Sequence, residues 1–229
     1  VYVGVGAMLY AGQRSMIYLP TGVNTSSDVA HEVVDVADAE LKVWVVNPGQ
    51  PRGLLYFGGN AEDVYYQADN FLQYLPGHTV YLVNYRGYGG STGEPTEIGL
   101  FDDALALFDH LSARHESMDV KGRSLGSGVA VYLASRRAVN RTVLVTAFDS
   151  LLAVAQSHYP IFPVNWLLKD RFESVRHAED VTAPVLLLTA PDDHIVPNGH
   201  TDSLAEALGH VAVEQVMIDL VGDVDTARE

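Results

Sequence analysis

From His31 onward the hydrophobic positions alternate between two repeats. EVVDV and LKVWVV flank the turn-like ADAE between His31 and Val46 and predict a β-hairpin. Short apolar runs then follow as strand candidates: GLLYFGG (53 to 59), HTVYLVNY (78 to 85), MDVKG (118 to 122), RTVLVTA (141 to 147), APVLLLTA (183 to 190) and VAVEQVMID (211 to 219). Most lack polar alternation, as strands buried on both faces do. Between them the repeat lengthens to that of a helix. Val64, Ala68, Phe71, Leu72 and Leu75 fall on one stripe, and Ile98, Phe101, Leu105 and Phe108 on another, the latter after the start signal Pro95-Thr96. Strands alternating with helices predict an α/β fold with a mainly parallel sheet, right-handed crossovers and helices on both faces. In such sheets, sites gather at the carboxyl ends of the strands.

The chain is 229 residues long, enough for one α/β domain over 1 to 229, and no linker or repeat suggests a boundary. Residues 148 to 175, rich in proline and aromatics, read as a small cap-like insertion after the sixth strand, too short to hold a core. The opening VYVGVGAMLY is about half the length needed to span a bilayer. Two readings of residues 1 to 12 stand, a packed segment or the remnant of an N-terminal anchor.

Charge narrows the partners. Fourteen basic against 29 acidic residues leave a net −15, which opposes nucleic acid and anionic surfaces. The absence of cysteine removes thiolate nucleophiles and Cys-based zinc sites but leaves the compartment, cytoplasmic or membrane-anchored, undecided.

GRSLGSG, 122 to 128, matches G-x-S-x-G between a strand and a small-residue helix. That pattern holds a serine at a strained turn, with Gly122 and Gly126 removing side chains that would clash. Ser124 is the candidate nucleophile, and the N–H of Leu125, at the start of the helix, a candidate oxyanion donor. YFGGNAEDV supplies a second donor in the N–H of Asn60. A phosphate-loop reading of GGNAED fails, because it has neither G-x-G-x-x-G nor a P-loop lysine and carries Glu62 and Asp63. In APVLLLTAPDDHIVP, Asp193 is the preferred acid and Asp192 the residue placed to cap the turn.

Together with NYRGYGGSTGEPTE, TAFDSL, HYPIFPVNWLLKDRFESV and the early QRSMIYLP, these stretches resemble the α/β-hydrolase superfamily from Gln13 to the end. The closer resemblance is to its small, nearly lidless serine hydrolases, a branch that includes membrane-associated protein depalmitoylases. The resemblance implies an eight-stranded, mostly parallel sheet, a cofactor-free Ser-His-Asp mechanism and small acyl ester or thioester substrates. By position it makes Ser124 the nucleophile, Asp193 the acid, and Leu125 and Asn60 the oxyanion donors. Related sequences often carry QRxxIYxP just after an anchor helix, which favours the anchor reading and membrane association.

Two departures stand out. Gly58-Gly59 replaces a common His-Gly, of little consequence for a backbone donor. The slot after the last strand, where the family keeps its catalytic histidine, reads LVGDVDTARE, with Asp223 after Gly222. A carboxylate of pKa about 4 is a poor base for a serine hydroxyl, and it would meet Asp193 as a like charge. Truncation, a deletion near Gly222 or a substitution would each empty the slot. His194, beside Asp193, is the candidate substitute base, and His158 in the insertion could overhang the site. The expected function is a serine hydrolase of carboxylic esters or thioesters; the alternative is an impaired homologue serving as a binding or scaffold protein.

Overall fold

A computed structural model describes residues 2 to 191 and 193 to 218. Eight strands form one sheet in the order β1-β2-β4-β3-β5-β6-β7-β8. The predicted hairpin is β1 (Ala30–Val36) and β2 (Ala39–Val46), joined by a two-residue turn and antiparallel; β2 also runs antiparallel to β4 (His78–Val83). All other pairings, among β4, β3 (Arg52–Phe57), β5 (Ser117–Arg123), β6 (Thr142–Val145), β7 (Val185–Thr189) and β8 (Val213–Met217), are parallel. This is the α/β-hydrolase arrangement that the sequence led us to expect.

β3 and β4, central and continuously apolar, are buried along almost their whole length. β5 and β7 instead alternate between buried and half-buried positions, and edge strand β8 is partly exposed throughout. Only the centre of the sheet therefore shows the two-sided burial expected of every parallel strand.

Two apolar clusters cover the two faces. On one, Trp44, Tyr56, Val80 and Leu82 pack with Val64, Ala68 and Phe71 from a 3₁₀ turn (Val64–Gln67) and α2 (Ala68–Tyr74). On the other, α3 (Glu97–Ser112) and α4 (Leu125–Arg136) pack over Leu41, Leu55 and Val120. The predicted stripes shift slightly. Leu72 and Ile98 are exposed, because the buried face of α2 is set by Ala68 and Phe71 and that of α3 by Leu100, Ala104, Leu107 and Leu111.

Residues 148 to 175 carry α5 (Leu151–His158) and α6 (Val164–Leu167); α7 (Ser174–Ala178) and α8 (Asn198–Ala207) follow in the chain. The N-terminal segment is a helix, α1 (Tyr2–Ile17), which packs against α6. No helix among the described residues is long and apolar enough to cross a membrane.

Candidate active site

Ser124 stands between β5 and α4 with φ 48° and ψ −115°, a backbone conformation that residues with a Cβ seldom adopt. Its surroundings hold it there. The Ser124 N–H donates to the Val145 carbonyl at 2.9 Å, and its own carbonyl accepts from the Ser127 N–H and hydroxyl at 2.8 and 2.6 Å. The flanking glycines are required sterically. A Cβ on Gly122 would collide with the Gly126 carbonyl, and one on Gly126 with the carbonyls of Phe57 and Gly58. The bend thus lifts the Ser124 side chain, half-buried, into a cavity at the carboxyl edge of the sheet.

The loop after β3 faces the same cavity through Asn60. Three tyrosines and one carboxylate fix its course. Tyr56 Oη donates to Glu62 Oε1 at 2.6 Å, Gly59 N–H to Glu62 Oε2 at 2.6 Å, and Tyr85 Oη to the Gly58 carbonyl at 2.7 Å. Tyr88 Oη donates to Asn60 Oδ1 at 3.0 Å. Burial raises the pKa of Tyr56 and Tyr85 well above the ordinary value and pushes that of Tyr88 up to about 12, so all three remain donors. Glu62, which in the sequence only argued against a phosphate loop, is its central brace. With Gly59 N–H spent on Glu62, the N–H groups of Asn60 and Leu125 have no bonded partner among the described residues.

The loop after β7 carries Asp193. Its Oδ1 accepts the N–H groups of Ile195 and Val196 at 2.9 and 2.8 Å. Asp193 therefore caps this turn itself, a role assigned from the sequence to Asp192, which lies outside the described residues, as does Asp223. His194 is exposed and does not line the cavity. His158, the last residue of α5, does line it, and its Nε2 lies 3.1 Å from the Ile195 carbonyl oxygen. The structure brings Ser124, Leu125, Asn60 and His158 to one cavity, with Asp193 holding the loop that contributes Ile195 and Val196 to its wall; it leaves His194 outside.

The cavity measures about 350 Å³. α5 and α6 give it Leu151, Val154, Ala155 and Leu167, and α1 gives it Leu9, Gln13, Met16 and Ile17. This contribution of α1 was missed in the sequence. Gln13 clamps the helix in place: its amide donates to the Leu167 carbonyl at 2.9 Å and accepts the Lys169 N–H at 2.7 Å, next to an Arg14–Asp170 ion pair of 2.9 Å. A second signal, HIVPNGH, went unread: His200 Nδ1 lies 2.9 Å from Asp149 Oδ1 near the same sheet edge, although neither lines the cavity. Among the described residues no group of three or more His, Asp or Glu is placed to hold a metal ion.

Comparison with known proteins agrees with this architecture. No family model matches the chain. An uncharacterized protein of Mycobacterium tuberculosis is 35% identical over 219 residues, covering 89% of this chain and 78% of that protein. Lysophosphatidylserine lipase ABHD12 of Macaca fascicularis is 34% identical over 53% of this chain and 35% of its own length. A Pyrococcus furiosus esterase has the same fold at a TM-score of 0.68, with 17% identity over 89% of this chain and 88% of that one. With an eight-stranded sheet of this order and these relatives, the chain belongs to the α/β-hydrolase superfamily, in one family with the mycobacterial protein.

Proposed function

We propose that this protein is a serine hydrolase that cleaves carboxylic esters or thioesters through an acyl-enzyme on Ser124. The observation that carries the reading is the strained Ser124 at the floor of an apolar cavity shared with Asn60 and Leu125. Ser124 Oγ adds to the substrate carbonyl carbon while its proton passes to a base. The carbonyl oxygen, now anionic, is received by the N–H groups of Leu125 and Asn60. Collapse expels the alcohol or thiol, which takes up the proton, and water then repeats the sequence to release the acid. A lipase and an esterase among the similar proteins support an acyl substrate.

For the base, we favour His158 over His194, since His158 shares the cavity with Ser124 and His194 does not. Asp193 is the acid of this reading, holding the loop against which His158 rests. A second reading draws on the partners of Asp193: among the described residues its hydrogen bonds come from backbone N–H groups, with no histidine among them. A homologue lacking a base would bind acyl compounds and turn over slowly, because losing a triad member costs on the order of 10⁴ to 10⁶ in rate.

A fluorophosphonate probe separates the two. Labelling that disappears in Ser124→Ala and falls at least about a hundredfold in His158→Gln, with His194→Gln unaffected, supports the hydrolase and its base. Labelling that His158→Gln leaves unchanged overturns that histidine, and an unlabelled intact protein overturns the hydrolase.

A further inference from the structure

The face of α1 turned to the cavity has a direction. Leu9, Gln13, Met16 and Ile17 recur at helical spacing on one side, so the four lie in a row along the cavity. The row is anchored at its C-terminal end near the reacting serine, because the Leu19 N–H donates to both Asn60 Oδ1 and Tyr88 Oη at 2.9 Å. Leu9 then stands eight residues away from Ile17, roughly 12 Å along the helix at about 1.5 Å per residue. Between these ends the lining is nearly all apolar, and Gln13, the one polar side chain that α1 gives it, is spent on backbone groups of the insertion. Polar substrate atoms in that stretch would lose water and gain no partner. The lip is apolar too: Met16, Tyr159 and Ile195 line the cavity yet are exposed.

We propose that the cavity holds one unbranched acyl chain of medium length laid along α1, and that Leu9 sets where it ends. The substrate class becomes single-chain acyl esters or thioesters with about eight to ten carbons in the acyl part, the number of zigzag carbon bonds that span such a distance. The assignment of the bound chain as an acyl group rests on the serine-hydrolase reading, whereas its length limit rests on the cavity alone.

The test therefore separates binding from turnover. In Ser124→Ala, which cannot acylate, 1-alkanols from butanol to tetradecanol are titrated by displacement of a fluorescent alkyl probe. Affinity should rise about fourfold per methylene up to eight to ten carbons and then level off. Leu9→Trp should move the levelling point two to four carbons shorter and leave butanol unchanged, while Leu9→Ala moves it longer. Met8→Trp, on the exposed side of the same helix, should leave the profile as it is. Should Leu9→Trp fail to fold, as melting would reveal, Leu9→Ala and Leu9→Phe carry the test. A break that ignores Leu9, or affinity with no break through fourteen carbons, overturns the proposal. Fluorophosphonate labelling of the native protein reports independently on the hydrolase reading, so either can fail alone.

Discussion

Asn60 Oδ1 accepts the backbone N–H of Leu19 at 2.9 Å, across 41 positions in sequence. One side chain thus joins the segment leaving the cavity-lining helix to the loop that shares the cavity with Ser124. Asn60→Ala removes the acceptor used by Leu19 and Tyr88 but keeps the backbone N–H. The expected loss is about 1 to 3 kcal/mol of stability, with fluorophosphonate labelling slowed roughly tenfold as the loop loosens. Asn60→Asp, which keeps an acceptor oxygen, should recover most of the labelling rate. Equal rates in wild type and Asn60→Ala would show that the helix and the loop are uncoupled.

Ser124 carries backbone strain that can be read separately from its chemistry. Both Ser124→Ala and Ser124→Gly delete the hydroxyl, but only glycine adopts φ 48°, ψ −115° without a Cβ penalty. Relief of about 1 to 3 kcal/mol of strain outweighs the roughly 0.5 to 1 kcal/mol that glycine loses in chain entropy. Ser124→Gly should therefore be the more stable of the two by about 1 kcal/mol in denaturant unfolding, both being unlabelled by the probe. The opposite order would mean that the bend is not strained.

How much of this was legible beforehand follows from what each signal depends on. Ser124, Gly122 and Gly126 could be read directly, because a bend that tight admits few residue types and leaves them adjacent in sequence. β3 and β4 were equally clear, since full burial on both faces writes itself as an unbroken apolar run. α1 as a cavity wall could not be read. Gly4, Gly6 and Gly12 weaken its helical signal, and an apolar run looks the same whether it packs in a core, lines a cavity or enters a bilayer. The bracing role of Glu62 stayed hidden for a related reason: its partners, Tyr56 and the Gly59 N–H, give no sign in the sequence that they converge on it. His158 reaches the cavity from an insertion whose path no periodicity dictates.

Arg86 and Asp103 form a buried two-point pair, Nε to Oδ2 at 2.8 Å and an Nη to Oδ1 at 2.7 Å, that fastens α3 to the loop after β4. Burial raises the Asp103 pKa against the opposing pull of Arg86, so the pair is held at some desolvation cost. Asp103→Ala leaves a guanidinium buried with only the exposed Asp38 beside it, and should cost about 3 to 5 kcal/mol. Asp38→Ala should cost below about 1 kcal/mol. Urea unfolding distinguishes them, and similar losses from both would mean that the buried contact carries no special weight.

His177 gives the fold a pH dependence of definite sign. Its ring lies edge-on to Phe101 and Tyr132, and burial, aided by Arg136 and Arg176 against Asp180 and Glu173, holds its pKa below the ordinary 6.5. The unfolded chain then binds a proton at a pH where the folded one does not. Stability from this group is complete above pH 6.5 and is lost as pH falls through the lower folded value. Because the ring is partly open to solvent, the effect on the melting temperature should be a few degrees at most. His177→Gln removes the titration. Its melting temperature should fall less than that of the native protein between pH 7.5 and 5.5, and parallel curves would show that the ring is free to protonate where it stands.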